Sequence, residues 1–465
     1  MPQALAFQVA SFDLTKFSEG ELWARMSQLA RFYATLPDDF RLLAHSRPYP
    51  LDEPLERIKA MMAAAQDPRA REQIAAYRRF LEQIIHAAYL KDADYYLVLF
   101  ADGKKSPQAL AVNLAAGLRL PVQPVSRFPA LIRSAYREAA THIQPLHPGL
   151  PHYAFLYSYD LRGQLSFGTM TAFLQLACPL SIAVDVKTIH PDKAVRTLQL
   201  AYNKLKADLL GRGGNEAPDP EKDQAYLDVQ EALKAVQHER HGLHQVVLAV
   251  AVEGRNRDEL ERHVEMVTSA AARNQVYLRP AWLHQFEAMS LFTADPTPET
   301  VAREARNLLS PGVALLSPFG YEVPKNTEGP FVAINRATGS PLWLDKFSLP
   351  AFNEVVLGRT GSGKTFMAGL RAYRERMFGV QTVFVDPQGN FRKVTEAVGG
   401  RYNFLRLGSG TALNILDVVH DNGAAQVSHV VVLLESLLGR ALSIAEKAVV
   451  DRALLELYHE QQVRI

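Results

Sequence analysis

A glycine-rich octapeptide leaves this chain few ways to fold around residue 360. Residues 358–365 read GRTGSGKT, and the apolar run VVL at 355–357 leads into them. Residues 366–370 then continue at helical spacing. Three glycines in eight positions allow a tight backbone turn that side chains would obstruct. The order predicts a strand, a compact loop and the start of a helix.

Such a loop has the chemistry of a phosphate cradle, because it matches G-x-x-x-x-G-K-[ST] at every fixed position. Its backbone N–H groups can face inwards, and the helix N-terminus adds the positive end of its dipole. We expect Lys364 to contact the β- and γ-phosphates as a catalytic cation, and the Thr365 hydroxyl to bind Mg²⁺. The alternative is a glycine-rich turn that arises by chance. The predicted ligands are ATP and Mg²⁺, and the predicted nucleotide-binding residues are Gly358, Arg359, Thr360, Gly361, Ser362, Gly363, Lys364 and Thr365.

A candidate catalytic acid follows the next apolar run, VFV at 383–385. There Asp386 would face the phosphates or Mg²⁺ through water. The same aspartate could instead cap the turn PQG at 387–389, and the sequence leaves both interpretations open. Glu435 follows a similar run at 430–434, but the surrounding spacing favours helices there.

The composition bounds the class of protein. The chain has 465 residues, of which 48% are hydrophobic and 22% charged, as in a globular protein of about three domains. Its net charge of +2 gives no overall attraction to nucleic acid or to an anionic membrane. The single cysteine, Cys178, predicts a buried and inert thiol. No run approaches the roughly 18 apolar residues of a membrane-spanning helix, so we expect a cytoplasmic protein without a membrane span.

Three regions follow from the order of the patterns. Residues 1–150 are predicted to be helix-rich with one strand. Residues 151–345 alternate strands and helices, which predicts an α+β unit of ferredoxin-like topology. In residues 346–465 the alternation predicts a parallel sheet, and a helical pair follows. The strands predicted in this last region are residues 353–357, 382–386 and 401–407, and the helical pair covers 424–462.

Two further patterns are interpreted as structural. His238, His241 and His244 recur at three-residue spacing, but they straddle a predicted helix end, which favours a solvated turn over a zinc site. Alternating aromatic residues predict one face of a strand rather than a base-stacking platform, and they are Tyr153, Phe155, Tyr157 and Tyr159.

The order of motifs in the last third of the chain resembles the CagE/TrbE family, the traffic ATPases of type IV secretion and conjugation systems. The segments GPFVAIN at 329–335 and PLWLD at 341–345 resemble the family's lead into the motor domain. The order of strands and helices extends the resemblance to residues 151–310. The motifs that carry it are GRTGSGKT at 358–365, VFVDPQGNF at 383–391, the glycine pair 399–400, ALNILD at 412–417 and the helical stretch 437–458.

The resemblance implies an ATP-binding motor subunit of the HerA/FtsK branch of RecA-like proteins. It implies a homo-oligomer, in the form of a hexameric ring, that hydrolyses ATP at its subunit junctions. The work would drive pilus assembly, or the transfer of substrate or DNA, at the inner face of the bacterial membrane. The N-terminal part would dock onto membrane-complex proteins. The expected fold class is α/β, with an α+β N-terminal region followed by an incomplete RecA-like P-loop domain that has a parallel sheet and a helical insertion.

Two features depart from the family pattern. Asn390 and Phe391 follow Gly389, where the family commonly has an acid. Only 100 residues follow Thr365, so we expect a C-terminally truncated motor domain that lacks its Walker B acid and arginine finger. Such a chain would bind ATP and would become a hydrolase when completed.

Three other functions stay open. A DNA translocase of the HerA/FtsK type predicts ATP turnover that DNA stimulates. A non-catalytic scaffold of a secretion complex predicts partner assembly that does not depend on Lys364. A small-molecule kinase would use Asp386, but no acceptor-binding pattern accompanies it.

Overall fold

The structure is a computed structural model that describes most of the chain. The chain separates into two compact units, Met1–Val383 and Phe384–Ile465. The described residues are 3–12, 14–49, 52–88, 91–101, 106–126, 128–129, 131–132, 134–161, 165–166, 168–210, 220–320, 328–335, 341–405, 414, 416 and 423–460.

All the described strands lie in the first unit. They are β1 (Gln3–Val9), β2 (Asp39–Pro48), β3 (Lys91–Ala101), β4 (Val122–Pro124), β5 (Tyr136–Glu138), β6 (Ile143–Pro145), β7 (His152–Leu161), β8 (Leu180–Thr188), β9 (Leu243–Gly254), β10 (Val276–Pro280), β11 (Arg306–Leu309), β12 (Phe331–Ile334) and β13 (Pro341–Trp343).

The α-helices of both units are described in the same way. Those of the first unit are α1 (Glu19–Thr35), α2 (Asp52–Ala64), α3 (Pro68–Ala88), α4 (Pro107–Leu118), α5 (Thr169–Leu174), α6 (Pro191–Leu210), α7 (Pro220–His238), α8 (Arg257–Arg273), α9 (Gln285–Met289), α10 (Glu299–Ala302), α11 (Ser310–Leu315) and α12 (Lys364–Met377). Those of the second unit are α13 (Arg392–Ala397), α14 (Gly423–Leu438) and α15 (Ile444–Glu460).

One antiparallel sheet of 11 strands dominates the first unit. Its order is β4–β1–β3–β2–β8–β9–β7–β6–β5, with β10 beside β7 and β11 beside β9. All its described pairings are antiparallel. The pairing of β2 with β8 sets Phe40 opposite Val186 and His45 opposite Ser181. Strands from residues 1–150 and from residues 151–345 therefore share a single sheet.

The central strands β8 and β9 are apolar on both faces because both faces are covered. Ile182 and Val184 lie in one core with residues of α1 and α8, whereas Ala183 lies in a second core with Leu291 and Phe292. Successive side chains of a strand point to opposite faces, so a strand buried on both sides needs a continuous apolar run. The predicted aromatic face of β7 is confirmed for the three residues that the second core buries, Tyr153, Phe155 and Tyr157.

Helix caps recognisable in the sequence are present. The Oδ1 atom of Asn256 accepts a hydrogen bond from the N–H of Glu259 at 2.9 Å, so Asn256 is the N-cap of α8. Ser18 and Glu21 form a capping box at the start of α1. Such caps satisfy N–H groups that the first helical turn cannot pair.

A smaller layer joins α12 to the helical hairpin α2–α3. Ile58, Tyr77, Phe331 and Trp343 are buried together, and Met377 from the end of α12 packs against them. Strands β12 and β13 form a separate two-stranded hairpin in this layer. The helix that follows the glycine-rich loop therefore ends in a hydrophobic core.

The second unit contains the predicted helical pair, which is confirmed as α14 and α15. Val427, Val430, Leu454 and Tyr458 form its core. Glu435 accepts a hydrogen bond from the N–H of Leu442 at 2.9 Å. Residues 430–434 lie within α14, which confirms their interpretation as helical.

The predicted parallel sheet of a RecA-like domain is wrong. No parallel pair occurs among the described strands, and residues 353–357, 382–386 and 401–405 do not form strands. Residues 406–407 of the third predicted strand lie outside the described residues. The apolar runs predicted burial, but a strand also needs a neighbouring backbone to pair with. Val355 and Leu357 are 81% and 87% exposed, so these runs are not buried either.

Within the described ranges, none of the helices combines the length and the apolarity that crossing a membrane requires.

Candidate phosphate-binding loop

The segment before α12 folds into a compact turn. Gly361 and Gly363 have φ of +79° and +89°, a region that residues with a Cβ atom rarely adopt. The N–H of Ser362 donates to the carbonyl oxygen of Arg359 at 3.1 Å and closes the turn. A Cβ atom at either glycine would meet no heavy atom within 4 Å. Glycine is therefore required there by the backbone, and the space in front of the loop is open.

The side chain of Lys364 folds back across this turn. Its Nζ atom donates to the carbonyl oxygens of Gly358 and Arg359 at 2.8 and 2.9 Å. The ammonium group is thereby held beside the loop backbone rather than extended into solvent. A phosphate oxygen at this point would be a stronger acceptor than a carbonyl, because it carries charge.

The N-terminus of α12 faces the same loop. Gly363 is the N-cap and provides no side chain to cap the helix. The first helical hydrogen bond runs from the N–H of Met367 to the carbonyl oxygen of Gly363 at 2.9 Å. The backbone N–H groups of Lys364 and Thr365 have no acceptor in the part of the chain that the structure describes. They are free to donate to an anion.

The donor set at Thr365 fits a magnesium ion that arrives with a polyphosphate. Its hydroxyl lies in the first turn of α12, and the residue is exposed. Mg²⁺ is usually held by one or two protein oxygens together with phosphate oxygens and water. Among the described residues, no group of three His, Cys, Asp or Glu side chains could hold a metal by itself.

Asp386 lies in the second unit and contacts its own turn. Its Oδ2 atom accepts from the N–H of Phe391 at 2.7 Å, and its Oδ1 atom accepts from the N–H of Gln388 at 3.3 Å. The hydrogen bond from Phe391 is the main cause that lowers the pKa of this carboxyl group. These contacts belong to the turn-capping interpretation, and the catalytic role of Asp386 stays a prediction.

Three charged residues of α12 were not singled out from the sequence. Arg374 donates to the carbonyl oxygens of Phe331 and Val332 at 2.8 and 3.0 Å, so it fastens α12 to β12. Glu375 is 5% exposed and pairs with Arg371 and with Lys346. Arginines on a helix usually predict a solvated face, but the contacts to Phe331, Val332 and Lys346 reach residues outside the helix.

A cavity of about 560 Å³ lies at the opposite end of α12. Lys346, Phe347, Glu375 and Phe378 contribute to its wall. A helix of 14 residues is roughly 20 Å long at its usual rise. The cavity is therefore distinct from the loop at the N-terminus of α12.

The histidine triplet does not form one solvated turn, so that interpretation is wrong for His244. His238 is exposed at the end of α7, but His244 is fully buried in β9. Its Nε2 atom lies 3.0 Å from the hydroxyl of Ser310, which is fully buried as well. A substrate could not reach this pair. The three-residue spacing did not predict this, because the triplet begins at the end of α7 and ends inside β9.

The class of protein that the fold and the loop define is a large antiparallel α+β unit with a compact glycine-rich turn directly before α12. No protein-family model matches the chain, and no curated protein matches it either.

Proposed function

We propose that residues 358–365 bind Mg-ATP. The position of Lys364 supports this most directly, because its Nζ atom already contacts the carbonyls of Gly358 and Arg359 beside unpaired N–H groups of α12. A triphosphate would give this ammonium group a charged partner. The N–H groups would bind phosphate oxygens, and the Thr365 hydroxyl would bind Mg²⁺.

We further propose that the bound ATP is hydrolysed. Lys364 would stabilise the negative charge on the transferred γ-phosphate. Asp386 would be the catalytic acid and would act through water. Hydrogen bonding favours the ionised form of this carboxylate, as a role in orienting water requires.

The biological process is proposed from the resemblance of the motif order to traffic ATPases. The chain would energise type IV secretion or conjugative transfer, including transfer of DNA, at the inner face of the bacterial membrane. Membrane-complex proteins would hold it there.

Exposed apolar side chains beside the loop support a protein partner. Phe352, Val355, Leu357 and Phe366 are each more than half exposed. Neighbouring apolar residues on a surface commonly mark an interaction site. We propose that further copies of this chain, arranged in a hexameric ring, cover them.

Binding of Mg-ATP to the full chain by isothermal titration calorimetry tests the proposal. Lys364→Ala should weaken binding at least about tenfold, because one charged phosphate contact is removed. Lys193→Ala is the matched control, since Lys193 is exposed on α6. Unchanged affinity in Lys364→Ala, or no binding by the unsubstituted chain, would overturn the proposal.

A second candidate is a nucleotide-binding scaffold that does not hydrolyse ATP. One observation favours it. The strands of the large sheet are hydrogen-bonded to neighbours, whereas residues 351–357, before the loop, form no backbone hydrogen bond with another described residue. Measuring the release of phosphate from ATP distinguishes the candidate functions. Turnover indicates a motor, turnover that rises with added DNA indicates a translocase, and binding without turnover indicates the scaffold.

A further inference from the structure

Among the described residues, no strand pairs with the segment that enters the loop. No backbone hydrogen bond joins residues 351–357 to any other described residue. The side chains of Val355 and Leu357 point into solvent and contribute little packing. A loop that must match a polyphosphate needs both of its ends fixed. Its helical end is fixed by α12, so the entering end requires another anchor.

An ion pair provides that anchor. Nη1 of Arg371 donates to Oε2 of Glu354, four residues before Gly358. Arg371 lies on α12, about two turns beyond Lys364. The pair therefore joins the segment that enters the loop directly to the helix that leaves it.

The guanidinium group of Arg371 is itself held in place. Its Nε atom donates to Oε1 of Glu375 at 3.0 Å, and Oε2 of Glu375 accepts from Nζ of Lys346 at 2.8 Å. The side chains of Arg371 and Glu375 are 16% and 7% exposed. A partly buried network of this kind is less screened by solvent than an isolated surface pair. Arg371 consequently presents Nη1 to Glu354 from a fixed position.

We propose that Arg371 is a positioning residue for the nucleotide and acts through Glu354. This inference rests on the proposed binding of Mg-ATP at the loop. The carbonyl oxygens of Gly358 and Arg359, which contact Lys364, follow Glu354 along the chain. The ion pair sets where these carbonyls and the loop N–H groups stand relative to the start of α12. Without it, the loop must be ordered when the nucleotide binds, and affinity falls.

The test is a set of substitutions, with the dissociation constant for Mg-ATP measured on the full chain. Glu354→Gln and Arg371→Gln should each weaken binding roughly tenfold, and the double variant should bind no more weakly than Arg371→Gln, because both substitutions break the same pair between Glu354 and Arg371. Arg371→Lys should recover most of the affinity, since it keeps the charge. Arg376→Ala, an exposed arginine of the same helix, is the matched control and should bind as the unsubstituted chain does.

If Arg371 only stabilised the fold, the affinities of these variants would differ from the values expected above. Arg371→Lys would then bind as weakly as Arg371→Gln, or the losses would add in the double variant, and either result overturns the proposal. Glu354→Gln keeps the test decisive if Arg371→Gln does not fold, because Glu354 is 41% exposed and stands outside the helix. If Lys364→Ala abolishes binding but Glu354→Gln and Arg371→Gln bind normally, only the positioning role fails. Binding that survives Lys364→Ala removes the proposed function itself.

Discussion

Arg41 of β2 and Asp185 of β8 form an ion pair inside the antiparallel sheet, with Nε 2.8 Å from Oδ1. The side chain of Arg41 is completely buried. Its Nη2 atom donates to the hydroxyl of Thr297, which in turn donates to Oδ2 of Asp185. Its Nη1 atom donates to the carbonyl oxygens of Ser290, Thr293 and Asp295.

Arg41→Ala should therefore lower the free energy of unfolding by roughly 3–5 kcal/mol, because it leaves a buried carboxylate without its counter-charge. Urea unfolding followed by circular dichroism measures the loss. Arg303→Ala, at an exposed arginine, should stay within about 0.5 kcal/mol. A loss below about 1 kcal/mol for Arg41→Ala would show that the network does not hold the 290–297 segment.

Thr365→Ala should weaken the binding of ATP in the presence of Mg²⁺, because it removes the hydroxyl proposed to bind the metal. We expect a loss of roughly tenfold with Mg²⁺ and a much smaller one with EDTA. Thr365→Ser keeps the hydroxyl and should retain the affinity. Titration calorimetry with and without Mg²⁺ gives both values. Equal losses in the two conditions would argue against a role in metal binding.

Acid should destabilise the first unit through two buried histidines. Burial lowers the pKa of His45 and of His244 from 6.5 to about 4. The unfolded chain binds these protons first as the pH falls, so the stability that the neutral rings contribute is present above pH 6.5 and is lost towards pH 4. The loss can reach about 3 kcal/mol per histidine.

The midpoint of urea unfolding, measured across this pH range, checks the prediction. The ring of His45 packs against Tyr96, Phe128 and Phe292. His45→Phe suits these aromatic neighbours and should make the decline shallower. A decline as steep as that of the unsubstituted chain would assign the acid sensitivity to other groups.

Gly329→Ala should destabilise the layer between α12 and α3. Gly329 has φ +83°, and a Cβ atom there would lie 2.4 Å from the backbone nitrogen of Asp345. The strained backbone and this overlap together should cost at least about 2 kcal/mol. Urea unfolding followed by the fluorescence of the buried Trp343 measures it. Gly20→Ala is the control, because a Cβ atom at Gly20 of α1 meets nothing within 4 Å. That control should leave stability unchanged or raise it by roughly 0.5 kcal/mol.

Local features of this protein were predictable because short segments encode them. The cap at Asn256, the buried run of β9 and the helices α14 and α15 follow from residue type and spacing alone. The shape of the glycine-rich turn is equally local, since Gly361 and Gly363 adopt backbone angles that other residues avoid.

Non-local features were not predictable. Arg41 and Asp185 are 144 residues apart, and no sequence pattern predicts that β2 pairs with β8. The run at residues 353–357 has the composition of a strand, but a strand forms only where a neighbour supplies hydrogen bonds. Arg371 belongs to the same category, because its partner Glu354 lies outside the helix on which the arginine is found.

The long loop closed by the Arg41 network has a consequence for synthesis of the protein. Arg41 and Thr297 are separated by 256 residues. At about 5–20 residues per second, a ribosome takes roughly ten seconds to one minute to make that stretch. During this interval β2 can pair with β3. The other edge of β2 and the side chain of Arg41 have their partners only after β8 and residues 290–297 have been made. The nascent chain thus carries an open, apolar edge during translation, and chaperones that shield such edges should raise its yield.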